Sequence, residues 1–168
     1  MDRRTLLKLG VGGAALLAVA GGGLSLMQPG IVGGRLTHRG REVFAAVARA
    51  VIGPLLPAEE AAREVALQQL LLRLDATITG LPPALQAELS QLLALLASAP
   101  GRLAFARLAT AWPQASLSEL ELMLEGLRHS SLLLRQQTYH ALRDLCNAAW
   151  FADPATWQQI GYPGPQMI

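Results

Sequence analysis

The sequence predicts an all-α protein: a compact bundle of five to six helices, preceded by a basic and then apolar N-terminal leader and followed by an extended, aromatic- and proline-rich C-terminal tail. Three observations lead there. Apolar residues are 52% of the 168 positions and charged ones 15%, enough to collapse one domain rather than leave a disordered chain. Between Gly and Pro breaks the apolar positions recur at steps of three and four, the period of a helix. No stretch alternates apolar and polar residues with the β-branched enrichment of a strand, so essentially no sheet is expected. The expected boundaries are 1–34 for a leader and linker, 35–149 for the helical domain and 150–168 for the tail.

The N-terminus, MDRRTLLKLGVGGAALLAVAGGG, sets Arg3, Arg4 and Lys8 against Asp2 and then carries no charge from Leu9 to Gly34. A basic start before an apolar run is the layout of an export signal, with Ala18-Val19-Ala20 as a cleavage-site pattern. Arg3-Arg4 with Leu6 and Lys8 is more specific and resembles a twin-arginine (Tat) signal. Asp2 stands where that signal usually has Ser or Thr, and Leu6 where Phe is commonest. The uncharged window could span a bilayer core of ~30 Å. Nine of its 26 residues are Gly, however, which makes a poor membrane helix. Cleavage and retention as an inner-membrane anchor are both open readings. The expected location is the periplasm, reached through the Tat translocase, with membrane association.

Charge elsewhere is balanced. Of fourteen Lys and Arg and twelve Asp and Glu, three basic and one acidic residue lie in the first eight positions, leaving eleven against eleven. A nucleic-acid binder needs a sustained basic patch to neutralise phosphates, so no nucleic-acid partner is expected.

Each helix has its own stripe and its own stop. Phe44, Val47 and Val51 form the first, ended by Gly53-Pro54. Leu67, Leu70, Leu74 and Ile78 form the second, ended by Gly80-Leu81-Pro82-Pro83, with Pro57 placed for its first turn. Leu85, Leu89, Leu92 and Leu96 follow from Pro83 to Pro100-Gly101. Leu117, Leu120, Leu124 and Leu127 follow a capping box at Ser116 and Glu119, where hydroxyl and carboxylate satisfy orphan N–H groups. A last long helix is expected from Ser130 to Ala148, with Leu132, Tyr139, Leu142, Cys146 and Ala149 on one seam. Arg128, His129, Arg135, His140 and Arg143 cluster around it. They read either as a solvated face or as a contact for an anion or carboxylate of a partner.

Reactive constellations are sparse. His38, His129 and His140 are far apart, and one Cys offers no metal-ligand spacing. No nucleophile elbow, phosphate-binding loop or dinucleotide fingerprint occurs. Without C-x-x-C-H the chain does not attach a c-type haem. His140 and Asp144 share a helix face but lack a nucleophile. The expectation is a chain without catalytic residues, metal ligands or a cofactor of its own. Cys146, in an exported protein, is either a buried thiol or half of an intersubunit disulfide.

The segment RQQTYHALRDLCNAAWFADPATWQQIGYPGP resembles the C-terminal end of the gluconate 2-dehydrogenase subunit 3 family. These are small subunits of periplasmic flavin dehydrogenase complexes. The residues carrying the likeness are Tyr139, Trp150, Phe151, Trp157, and Gly161 through Pro165, which cover about thirty residues of the chain. The resemblance implies a large FAD-dependent partner of the glucose-methanol-choline (GMC) type, which this chain would carry through the Tat translocase as a hitch-hiker. It also implies a cytochrome c subunit that takes the electrons onward, so FAD and haem c belong to partners. Tyr139, Cys146, Trp150, Phe151, Trp157, Tyr162, Pro163 and Pro165 are the candidate partner-binding residues. Aromatics suit the buried centre of an interface, and prolines limit the entropy lost on ordering. The alternative is a free-standing periplasmic or membrane-tethered helical module that binds a small apolar ligand.

Overall fold

The computed structural model describes residues 28–164. It is an all-α bundle of five main helices: α1 (His38–Val51), α2 (Glu60–Thr79), α3 (Pro83–Ala97), α4 (Leu117–Arg128) and α5 (Leu133–Phe151). Helix α1 lies at the centre and packs against all four others, while α5 also covers α2 and α4. Apart from the buried Phe44, its inner positions are small or β-branched, with Val43, Ala46, Val47 and Ala48 all buried, so neighbours approach it from several sides. Leu70, Leu74 and Ile78 of α2, Leu93 and Leu96 of α3, Leu120 and Leu127 of α4 and Leu142 of α5 complete the core.

The near absence of sheet holds among the described residues, with one small exception, and that exception shifts the N-terminal boundary from the expected linker through residue 34. Ile31–Val32 and Arg35–Leu36 form a small antiparallel hairpin, β1 and β2, with Ile31 opposite Leu36 and Val32 opposite Arg35. Gly33 and Gly34 take φ of 58° and 75°, the left-handed pair that a two-residue hairpin turn requires. The pleat buries Ile31 and Leu36 and exposes Val32 and Arg35. Ser90 of α3 holds β1 through its carbonyl to Gly30 N–H (3.2 Å) and its hydroxyl to Ile31 N–H (3.1 Å). Gly40 permits the close approach of this strand to α1, since a Cβ there would stand 2.5 Å from Gly30 O. Among the described residues, packing therefore begins near Gly30.

Caps explain the helix starts. Thr37 caps α1 by accepting from Gly40 N–H. Helix α2 starts at Glu60 rather than near Pro57, because the Glu59 carboxylate accepts from Ala61 and Ala62 N–H (3.0 and 2.6 Å). Those bonds, Ala62 first, hold the Glu59 carboxyl below its usual range. Pro83 opens α3 as its spacing predicts. The capping box on α4 is present, and hydrogen bonds from Thr110 and then Ser116 draw the Glu119 carboxyl down to about 2.

Helix α5 is displaced from the expected 130–148 to 133–151. Ser130 forms a turn, accepting from Leu132 N–H at its hydroxyl and from Gln136 Nε2 at its carbonyl. Leu132 is thereby left outside the seam and exposed. The far end runs on until Asp153, whose extended backbone is what a residue before proline prefers. Among the described residues no single helix is long and apolar enough to cross a membrane.

Candidate partner-docking site

The C-terminal end is a folded clasp instead of an extended strap. After α5 the chain turns at Ala152–Asp153 and forms a 3-10 helix over Pro154–Ile160, with Asp153 capping it by accepting from Ala155 N–H (3.0 Å). Trp157 Nε1 donates back to Phe151 O at 2.8 Å, and Trp150 Nε1 donates to Gln159 Oε1 at 3.1 Å. The buried Thr156 hydroxyl lies 3.1 Å from Trp150 O and 2.7 Å from Asp153 O. Gly161 then reverses the chain at φ 71°, which brings the Tyr162 ring edge-on to Trp157 with centroids 5.3 Å apart. Gly164 closes over the Trp157 ring.

Two side chains tie the clasp to the bundle. Arg73 of α2 donates to Ala149 O (2.9 Å) and pairs with Asp153 (3.1 Å). Gln159 Nε2 reaches Leu55 O at 3.3 Å. Both indole N–H groups and the buried hydroxyl thus find partners within the chain, as buried polar groups must.

The candidate partner-binding residues separate accordingly. Cys146 is fully buried and free, and burial pushes its thiol up to about 12, so it presents no surface for an intersubunit bond in this fold. Trp150 is likewise core rather than surface, because α5 continues past it and seats its ring in the bundle. Phe151 and Trp157 are half-buried. Tyr162 at 45% and Ile160 at 56% exposure, with Pro163 exposed beside them, form the outward face of the clasp. Pro165, like Arg3, Arg4, Leu6 and Lys8, lies outside the described residues.

Tyr139 is not part of this group. It precedes Trp150 by eleven positions, roughly 16 Å along the helix axis. Its ring lines a groove of about 240 Å³ between α1, α4 and α5, together with Val51, Glu121, Glu125 and Arg143. A larger groove of about 650 Å³ is bordered by Gln28, Arg39, Glu42 and Ser98. Both linings mix charged and apolar groups, unlike the mostly apolar wall a small apolar ligand would need.

Most of the basic cluster is satisfied locally. Arg128 and His129 share Glu125 at 3.2 and 3.0 Å, Arg143 pairs with Asp144 at 3.2 Å, and His140 stands edge-on to Tyr139 at 5.2 Å. Asp144 therefore faces Arg143, not His140. Among the described residues no three His, Cys, Asp or Glu side chains converge as metal ligands. Arg135 differs from the rest of the cluster in being buried.

Two site features escaped the sequence reading. Asp153 before Pro154 is a readable cap signal, whereas its pairing with Arg73 spans eighty positions and is not. Asp75, buried on α2, accepts from Leu36 N–H (2.8 Å) and pairs with Arg41, which no local pattern announces. Arg135 was named within the basic cluster, and its burial was legible as well, because 135, 138, 142, 146 and 149 form one helical stripe.

The fold and site define an all-α bundle closed by an aromatic C-terminal clasp. No protein-family model matches the chain, and no curated protein or solved structure matches it significantly.

Proposed function

We propose that this chain is the non-catalytic small subunit of a periplasmic, membrane-associated, FAD-dependent GMC-type sugar or alcohol dehydrogenase complex. In this role it supplies the Tat signal and serves the export, assembly and stability of the flavoprotein. The observation that carries the reading is the pairing in one chain of the Arg3-Arg4 leader with the WFADP and GYPGP elements of the C-terminal end. The geometry of that end is in keeping with docking. Its exposed Ile160, Tyr162 and Pro163 belong to a segment already held by hydrogen bonds, with Tyr162 packed on Trp157, so little ordering entropy is lost when a partner covers them.

The test is to replace Arg3 and Arg4 by Lys and follow flavin dehydrogenase activity in the periplasm. The expected outcome is its loss from that compartment with the flavoprotein retained in the cytoplasm; unchanged periplasmic activity overturns the reading. Docking is probed by Ile160→Glu with Tyr162→Glu, which should abolish co-purification of the flavoprotein. Truncation after Cys146 is a poorer probe, since it also removes the buried Ala149 and Trp150.

A further inference from the structure

Arg135 sits in the first turn of α5 at 5% exposure, and its Nε and Nη2 atoms are buried without a hydrogen-bond partner. These two N–H groups lie on one edge of the guanidinium, the fork that takes both oxygens of a carboxylate. A buried charge left unpaired is costly, so native chains seldom keep one without a use. The surroundings add positive field instead of relieving it. Helix α5 has no side-chain cap and no acidic residue in its first turn, so its N-terminal N–H groups and dipole point the same way. Arg107 is near enough to repel the guanidinium, which burial and then this neighbour pull below its ordinary range.

Arg107 itself is exposed and holds φ of 60°, the one non-glycine residue with positive φ among the described residues. It ends the π turn Arg102–Ala106, a kind of irregularity found often at functional sites. The nearest acid along α4, Glu125, is already engaged by Arg128 and His129. Gly126, exposed and without a side chain, borders the fork; a Cβ there would stand 3.7 Å from Arg135 Nη2.

We propose that Arg135, with Arg107 as a second cation, is a binding site for a carboxylate presented by a protein partner. A planar two-oxygen acceptor fits the fork. Neither groove described above is lined by Arg135. Exposed apolar residues accompany the charges in sequence, with Leu132 and Leu133 just ahead of Arg135 and Leu103 four positions before Arg107. A buried Arg beside apolar contacts is the usual make-up of an interface anchor. The site lies at the opposite end of α5 from the clasp, and it stands whether or not the partner is a flavoprotein.

The probe is a labelled peptide alternating glutamate and leucine, with its glutamine counterpart as control, titrated against the purified full chain. The glutamate peptide should bind at least about tenfold tighter than the glutamine one. Arg135→Met should erase that preference, while Arg135→Lys and Arg107→Met should each reduce it. The melting temperature of Arg135→Met alone should equal or exceed that of the unaltered chain, since it removes an unpaired buried charge. Four results overturn the proposal: no preference in the unaltered chain, a preference that survives Arg135→Met, competition by acetate or phosphate as strong as by the peptide, or a fall in melting temperature of more than about 3 °C in Arg135→Met, which would mean the fork is already paired within the chain.

Discussion

Cys146 shows how one residue type acquires its chemistry from its surroundings. On the α5 seam it is enclosed by core residues, so the thiol behaves as a small apolar group and its thiolate is suppressed. Thiol-specific alkylation of the native chain at neutral pH should therefore be negligible and should become fast in denaturant. The pH dependence has a definite sign. The folded thiol titrates near 12 against an ordinary 9.0, so the folded state holds its proton more tightly. Its contribution to stability is complete below pH 9 and is lost as pH rises from there toward 12. Melting curves should show that loss, and Cys146→Ala should flatten it. Ready alkylation of the native protein would place the thiol at the surface and revive the disulfide reading. Burial of Cys146 was one of two readings the sequence allowed; its place on an apolar stripe pointed there, but only packing against α1 and α2 closes the seam.

At the scale of elements, the C-terminal clasp is part of the bundle. Trp150 closes the core while its indole N–H is held by Gln159, and Arg73 and Asp153 hold the turn that follows. Trp150→Ala should cost about 3–5 kcal/mol, read from chemical denaturation, because it leaves a cavity and also frees Gln159. A cost under about 1 kcal/mol would mean that the clasp is only loosely seated. Most of the helices and their breaks were readable because they are set by local chemistry: a stripe at helical period together with a cap or a Gly or Pro stop. The hairpin was readable in principle from Ile31-Val32-Gly33-Gly34, yet its two-residue strands are too short to show alternation. The start of α5 was misread by three residues because Ser130 bonds forward into a turn instead of capping the helix, a competition that serine permits at any helix start.

Over the whole molecule, one buried acid joins pieces distant in sequence. Asp75 of α2 takes the Leu36 N–H of the hairpin at one oxygen and the Arg41 guanidinium of α1 at the other. Asp75→Ala strands both donors. It should destabilise the fold by about 3 kcal/mol, at the lower end for a broken buried pair because Arg41 is partly exposed. Hydrogen exchange at Leu36 should rise together with the loss of global stability. If the loss is less than about 1 kcal/mol, the junction is not a structural tie. Helical periodicity and local capping, both properties of neighbours in sequence, already determine that this chain is an all-α bundle with stops near its Gly and Pro clusters. Which arginine finds an acid in another element and which is buried without one depends on side chains brought together from 34 to 80 positions apart. Those relations, together with the folding back of the aromatic tail onto α2, were decided only by tertiary packing, since the pairing partners share no local pattern.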